Sequence, residues 1–246
     1  SMSMASALSD MSPATSATAE KMAIDERYKL LTFTGSPAVG WALKGKAGMK
    51  AVTLELGGNA GVIVNSDADV KHAAERCRAG GFAFAGQVCI SLQRIYVHSD
   101  IFDEFADEFV KLVNELKVGD PSQDDTQLGP MINEGEAQRA LGWIQEAKNA
   151  GAKVLCGGEA EGALLRPTVL AEAASDLKVS CMEIFAPVVT LTKFHDVSEA
   201  IRMVDDSEFG LQAGIFTNDL RVINEAYNNI EAGGLMVNEV PTYRQD

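Results

Sequence analysis

Strand-like and helix-like segments alternate along most of the chain, and this alternation limits the folds that the chain can adopt. Val52, Leu54 and Leu56 alternate with polar residues, which is typical of a half-buried strand. Apolar residues between Ile101 and Leu116 recur every three or four positions, which predicts a long amphipathic helix. Strands that alternate with helices usually form a mostly parallel sheet covered on both faces. The sequence therefore predicts an α/β fold with a mostly parallel sheet and helices on both faces.

Other segments continue the same pattern. Predicted strands occupy 29–34, 60–64, 94–98, 153–156, 165–170, 188–194, 211–216 and 235–237. Predicted helices occupy 37–44, 197–205 and 219–231, with two more after the candidate N-caps Asp67 and Asn133. Ser36 is suited to an N-cap and Pro37 to the first position of the helix that follows.

Composition narrows the class of protein. The chain has 246 residues, of which 46% are apolar and 23% charged, as is usual for globular proteins. A formal net charge of -14 argues against nucleic acid as a partner, because phosphate binding needs clustered Lys and Arg. No apolar run reaches 18 residues, so we expect no membrane span. Four cysteines without CxxC or metal-ligand spacing predict no metal site, and reduced thiols favour a cytoplasmic location.

Cys89 and Glu55 carry the clearest potential for chemistry. Each lies beside a glycine, in Gly86-Gln-Val-Cys89 and in Glu55-Leu-Gly-Gly58. A thiolate attacks carbonyl carbon, and a carboxylate can deprotonate the thiol or a water molecule. A cysteine is, however, more often a small buried apolar residue than a nucleophile. Neighbouring residues have to decide between these interpretations.

Four motifs supply that context. In chain order they are TFTGSP at 32–37, KAVTLELGGN at 50–59, GQVC at 86–89 and EIFAP at 183–187. Together they resemble the aldehyde dehydrogenase superfamily, whose members oxidise aldehydes to acids with a nicotinamide cofactor. The resemblance runs from about Tyr28 to the last residue. It implies a small aldehyde as substrate and NAD or NADP as cofactor.

The resemblance also implies roles for individual residues. Cys89 would attack the aldehyde, and Glu55 would activate water against the resulting thioester. Gly35 and Ser36 would hold the cofactor's pyrophosphate, although such a turn is by itself as often an ordinary capped connection. Two further cofactor contacts are implied at the nicotinamide end, by Glu183 with the ribose hydroxyls and by Phe185.

Family members are about twice as long as this chain, so the resemblance implies a truncated protein centred on the catalytic domain. We interpret residues 1–20 as an expression tag or a disordered leader. Residues 21–56 would be a remnant of the cofactor-binding domain, and residues 57–246 a catalytic domain truncated at its C-terminus. We expect the longer protein to be a cytoplasmic homo-oligomer, and this chain alone to bind NAD or NADP weakly and to be inactive.

Two other functions remain open from the residues themselves. A cysteine-dependent ester or thioester hydrolase would require a histidine close to Cys89. His72, His98 and His195 are the three candidates, and they are scattered along the chain. A non-catalytic α/β module is the other alternative. Cofactor-dependent absorbance change with an aldehyde would distinguish a dehydrogenase from both.

Overall fold

The computed structural model describes residues 16–243, and its contacts divide the chain into two compact units, one ending at Gly57 and one beginning at Gly58. Most of the predicted leader, residues 1–15, lies outside the described residues. Residues 16–20 begin helix α1 (Ser16–Ile24). Ala, Glu and Lys in this helix are strong helix formers, and Glu20 pairs with Lys46 at 2.7 Å.

The first unit contains a parallel pair of strands joined by a helix. Strand β1 (Leu30–Thr34), helix α2 (Pro37–Lys46) and strand β2 (Ala51–Glu55) follow one another, and Thr34 pairs with Glu55 at the carboxyl ends of the two strands. Gly40 is buried in α2, and a Cβ there would lie only 2.5 Å from Leu56 Cδ2. The absence of a side chain at Gly40 allows the helix to pack closely on its strands.

A seven-stranded sheet forms the second unit. Its strands are β3 (Ala60–Val64), β4 (Leu92–His98), β5 (Lys153–Cys156), β8 (Thr168–Ala171), β9 (Val188–Phe194), β10 (Ala213–Phe216) and β11 (Leu235–Val237), with β6 (Ala160–Glu161) and β7 (Leu164–Leu165) forming a separate hairpin. The order across the sheet is β11-β10-β3-β4-β9-β8-β5. Every pair is parallel except β5 with β8. The predicted α/β class with a mostly parallel sheet is confirmed.

Helices cover both faces of this sheet. They are α3 (Val70–Phe82), α4 (Phe102–Asn114), α5 (Glu134–Asn149), α6 (Lys178–Cys181), α7 (Val197–Asp205) and α8 (Leu220–Asn229). Strand β3 shows the two-sided packing, since Val62 and Val64 join a core with Phe105 of α4, whereas Ile63 joins a core with Ala200 of α7. Successive side chains of a strand point to opposite faces, so a fully buried strand supplies both cores.

The N-cap of helix α3 differs from the sequence-based expectation. Helix α3 is capped by Asp69, whose side chain accepts from His72 N–H at 3.1 Å, and not by Asp67. Asp67 instead accepts from Thr217 Oγ1 at 2.8 Å and from Asn218 N–H at 2.8 Å. A tertiary network at the carboxyl ends of β3 and β10 thus occupies the carboxylate that the local pattern favoured as the N-cap.

Within residues 16–243, no helix is both long enough and apolar enough to cross a membrane.

Candidate active site

Cys89 lies in a tightly turned loop between α3 and β4. Phe84, Ala85 and Gly86 all have left-handed backbone angles, with φ of 52°, 55° and 69°. A Cβ at Gly86 would overlap the carbonyl oxygen of Ala186. Glycine at this position therefore lets the Cys89 loop pack directly against the segment that carries Glu183 and Phe185 in the sequence.

Gly58 links Cys89 to Glu183. Its N–H donates to Glu183 Oε1 at 2.8 Å, and a Cβ at this glycine would overlap the carbonyl oxygen of Cys89. Partial burial raises the pKa of Glu183, while the Gly58 N–H and the positive charge of Arg139 oppose that shift. The second unit thus brings the predicted nucleophile and the predicted ribose contact to one glycine.

The segment that carries Glu183 is held by side chains from other elements. Asn59 Nδ2 donates to the carbonyl oxygen of Ser180 at 2.8 Å. Arg139 Nη2 donates to the carbonyl oxygen of Ile184 at 2.7 Å. Both contacts are made to the main chain, so they fix the path of the backbone on each side of Glu183.

Gln93, in strand β4, makes a third set of contacts to this segment, which no sequence pattern had indicated. Its Nε2 donates to the carbonyl oxygens of Val179 at 3.1 Å and Met182 at 2.7 Å. Its Oε1 accepts from Ile184 N–H at 3.1 Å. No motif marks Gln93 as functional, since its partners lie far away along the chain.

Phe185 combines exposure with an unusual backbone. Its φ is 49°, and 41% of the residue is exposed although the adjoining Ile184 and Ala186 are buried. Left-handed angles in bulky residues cost about 1–3 kcal/mol and persist where surrounding contacts impose them. Here the residue is held partly out of the core, two positions after Glu183 in the chain.

Arg94 is a buried scaffold for the start of β3. Its guanidinium donates to the carbonyl oxygen of Asn59 through Nε at 3.1 Å and Nη2 at 2.9 Å. The same group reaches Tyr96 Oη at 2.9 Å and the carbonyl oxygens of Met203 and Val204 at 2.8 and 2.9 Å. These neutral partners fix Asn59, and with it the adjoining Gly58.

The first unit brings the other predicted site residues together. Glu55 is the last residue of β2, and its carbonyl oxygen accepts from Gly35 N–H at 3.0 Å. Ser36 is the N-cap of α2 by position, but its side chain makes no capping hydrogen bond. Glu55, Gly35 and Ser36 are all exposed at the carboxyl ends of the parallel strands. Within this unit the predicted base and the predicted pyrophosphate turn are neighbours.

The four cysteines have different surroundings, which predicts different reactivity. Burial raises the pKa of Cys77 far above its usual range and that of Cys156 to about 11. Cys89 and Cys181 are only partly buried, and Cys89 follows the left-handed, glycine-bearing turn at 84–86, whereas Cys181 ends helix α6. Because the thiolate is the reactive form, we expect iodoacetamide at neutral pH to label Cys89 first.

Peptide mass mapping of this chain after brief labelling measures the order in which the four thiols react with iodoacetamide. Denatured protein, in which all four thiols should react at similar rates, is the control. Faster labelling of Cys77, Cys156 or Cys181 than of Cys89 in the folded protein would contradict the assignment.

Comparison with known proteins identifies the family. The model of the aldehyde dehydrogenase family matches residues 6–246. The chain belongs to the aldehyde dehydrogenase family. It is 45% identical to 3-sulfolactaldehyde dehydrogenase of Priestia megaterium (strain ATCC 12872 / QMB1551) over 222 residues, which are 90% of this chain and 46% of that protein. Lactaldehyde dehydrogenase of Methanococcus aeolicus (strain ATCC BAA-1280 / DSM 17508 / OCM 812 / Nankai-3) is 38% identical over 222 residues, or 90% and 48% of the two chains.

The solved structures that resemble this chain are also aldehyde dehydrogenases. Aldehyde dehydrogenase 21 from Physcomitrella patens, in complex with the reaction product succinate, has a TM-score of 0.91 and 43% identity, covering 94% of this chain and 48% of that one. Glyceraldehyde-3-phosphate dehydrogenase GapN from Methanocaldococcus jannaschii, complexed with NADP, has a TM-score of 0.89 and 36% identity, covering 92% and 49%. The chain spans about half the length of the curated relatives it matches. The resemblance expected from the motifs is confirmed.

Proposed function

We propose that the protein containing this chain oxidises a small aldehyde to a carboxylic acid with NAD or NADP. The observation that carries the proposal is the position of Gly58, which joins the backbone of Cys89 to the carboxylate of Glu183. A nucleophile next to a group suited to a ribose is what this reaction requires, because the aldehyde carbon must lie near the nicotinamide. Membership of the family supports the same reaction.

The residues present fit such a cofactor. The N–H groups of the first turn of α2 favour an anion, and among the described residues the Ser36 hydroxyl makes no hydrogen bond that would compete with a phosphate. In the second unit, Glu183 uses Oε1 for Gly58, while Oε2 accepts nothing from the described residues. Phe185 offers an exposed ring for the nicotinamide end. When bound, NAD or NADP supplies the acceptor for hydride.

Cys89 begins the proposed reaction. Its thiolate attacks the aldehyde carbon, a C–S bond forms, and the carbonyl oxygen becomes the oxygen of a thiohemiacetal. Departure of hydride from that carbon leaves a thioester on Cys89. Glu55 then removes a proton from water as the water oxygen adds to the thioester carbon. Breaking the C–S bond releases the acid and returns Cys89 as a thiolate.

Histidine placement does not support the hydrolase alternative. Cys89 precedes the amino end of β4, whereas His98 is its last residue, about 20 Å away at about 3.3 Å per residue. His195 follows the parallel strand β9, so it lies at the same distant edge, where its Nδ1 contacts Ser99 Oγ at 3.0 Å. His72 Nε2 lies 3.3 Å from the carbonyl oxygen of Asn238, after β11.

An absorbance assay with the active protein that contains this chain tests the proposal. The absorbance of the reduced cofactor, at about 340 nm, should rise when NAD or NADP and a small aldehyde from a panel are supplied. Cys89→Ala should abolish this signal, and Cys181→Ala, which removes another partly buried thiol, should retain it. Equal activity of the two variants would refute the role of Cys89.

We also propose domain roles and a weak cofactor affinity for this chain alone. Residues 21–56 belong to the cofactor-binding domain and residues 57–246 to the catalytic domain, and the division of contacts at Gly57 supports that boundary. The chain corresponds to less than half of its relatives, so many of the contacts that a whole dinucleotide needs lie outside it. Each 1.4 kcal/mol lost weakens binding about tenfold.

We therefore expect the isolated 246-residue polypeptide to bind NAD or NADP with a Kd above roughly 1 mM and to show no measurable dehydrogenase turnover. Isothermal titration calorimetry measures the first quantity and the absorbance assay the second. The active longer protein serves as the positive control. Micromolar binding together with turnover would contradict this expectation.

A further inference from the structure

We propose that Gln93 is a positioning residue that holds Glu183 where it contacts the cofactor, an inference that rests on the role proposed above for Glu183. Gln93 touches neither cofactor nor substrate in this proposal. It acts by fixing the main chain on both sides of the carboxylate-bearing residue.

The hydrogen bonds of Gln93 converge on the residues flanking Glu183. Gln93 Nε2 donates to the carbonyl oxygen of Met182 at 2.7 Å, and Oε1 accepts from Ile184 N–H at 3.1 Å. The second N–H of the amide reaches the carbonyl oxygen of Val179 at 3.1 Å. The Gln93 amide therefore forms hydrogen bonds with the peptide groups immediately before and after Glu183.

Burial makes these bonds consequential. Gln93 is only 4% exposed, so an amide that lost a partner could not turn to solvent. Both amide donors and the carbonyl oxygen are used, which leaves no alternative arrangement of equal hydrogen bonding. A buried amide with all its bonds directed at one irregular segment specifies the path of that segment more than a core apolar residue would.

The location of Gln93 also couples two parts of the site. It lies four residues after Cys89, in the strand that the Cys89 loop enters. Its partners surround Glu183, whose Oε1 accepts the Gly58 N–H. A displacement of residues 182–184 would lengthen that hydrogen bond, so the Gly58 amide reports on the position of Glu183.

Amide hydrogen exchange on this chain tests the positioning directly. Gln93→Met keeps the volume and removes the three bonds, and Gln93→Asn keeps an amide that is one methylene too short. We expect the protection of the Gly58 amide to fall about tenfold or more in Gln93→Met, since the three lost hydrogen bonds are together worth more than a tenfold change. Gln93→Asn should show a smaller fall, and it supplies the measurement if Gln93→Met does not fold.

Thr217→Val is the matched control. Thr217 is fully buried, and its Oγ1 also takes part in three hydrogen bonds, with Asp67, Asn65 and the Asp219 N–H. These lie at the carboxyl ends of the strands and do not involve Glu183. This variant should lose stability and keep Gly58 protection relative to global unfolding. Equal loss of protection in the control and in both Gln93 variants would overturn the proposal.

Kinetics of the active longer protein separate positioning from a general structural role. Gln93→Met should raise the KM for the cofactor about tenfold and leave kcat within about threefold, whereas Thr217→Val should change neither. Glu183→Gln provides the distinguishing arm. An unchanged cofactor KM in Glu183→Gln would refute the proposed role of Glu183, whereas a raised KM there with an unchanged KM in Gln93→Met would refute the inference about Gln93.

Discussion

Glu55→Gln in the active protein is expected to leave acylation of Cys89 intact and to slow release of the acid by about 10²–10⁴-fold, the range typical of a lost general base. Attack on the aldehyde and hydride departure need the Cys89 thiolate and the cofactor. Water attack on the thioester needs a proton acceptor, and an amide is too weak a base for that step. The two half-reactions should therefore separate in time.

Stopped-flow absorbance measures this separation. The variant should give a burst of reduced cofactor close to one equivalent per site, followed by a slow steady state. Glu26→Gln, an exposed glutamate of the same unit outside the strands, should behave like the unmodified protein. Loss of the burst while deacylation stays fast would show that Glu55 has a different role.

Gly58→Ala is expected to destabilise this chain by about 1–3 kcal/mol and to slow alkylation of Cys89. The added methyl group would overlap the carbonyl oxygen of Cys89, which is main chain and cannot rotate away. Either the Cys89 loop or the start of β3 has to move, and the Gly58 N–H would then leave Glu183. Stability and thiol reactivity should thus change together.

Gly142→Ala is the contrasting substitution. Gly142 lies inside α5, where a Cβ would meet no heavy atom within 4 Å. Alanine there should stabilise the chain by about 0.5–1 kcal/mol through helix propensity and leave Cys89 labelling unchanged. Urea unfolding and labelling rates measure both variants. If Gly58→Ala resembled Gly142→Ala in both, the close approach of Gly58 to Cys89 would be wrong.

The order of strands and helices was largely predictable because each long element carries its own periodic pattern. Helix α4 and strand β9 are examples, and both lie within a few residues of the expected bounds. The four-residue helix α6 was not predicted, because so short a turn has no amphipathic repeat. Strand β5 was predicted, but nothing in its sequence indicated that it pairs antiparallel with β8.

The candidate site was predictable only where residues belong to a recognisable motif. Cys89, Glu183 and Phe185 were named through resemblance, whereas Gln93 was not, because its role depends on partners brought close by folding. The left-handed backbone at Phe185 was equally hidden, since bulky residues rarely adopt it and no local turn signal accompanies it.

The hydrogen bonds around Glu183 have a consequence for the state of the chain while it is being synthesised. Gly58 and Asn59 reach partners 125 and 121 residues later in the chain, and Gln93 reaches Met182 89 residues later. Contacts of such separation form after local ones, because a long loop must close first. Glu183 follows Cys89 by 94 residues, so a ribosome adding about 5–20 residues per second emits the thiol roughly 5–20 s before the carboxylate. During that interval the nascent chain carries Cys89 without the segment that packs against it, which makes translation the period of greatest exposure of this thiol to oxidants.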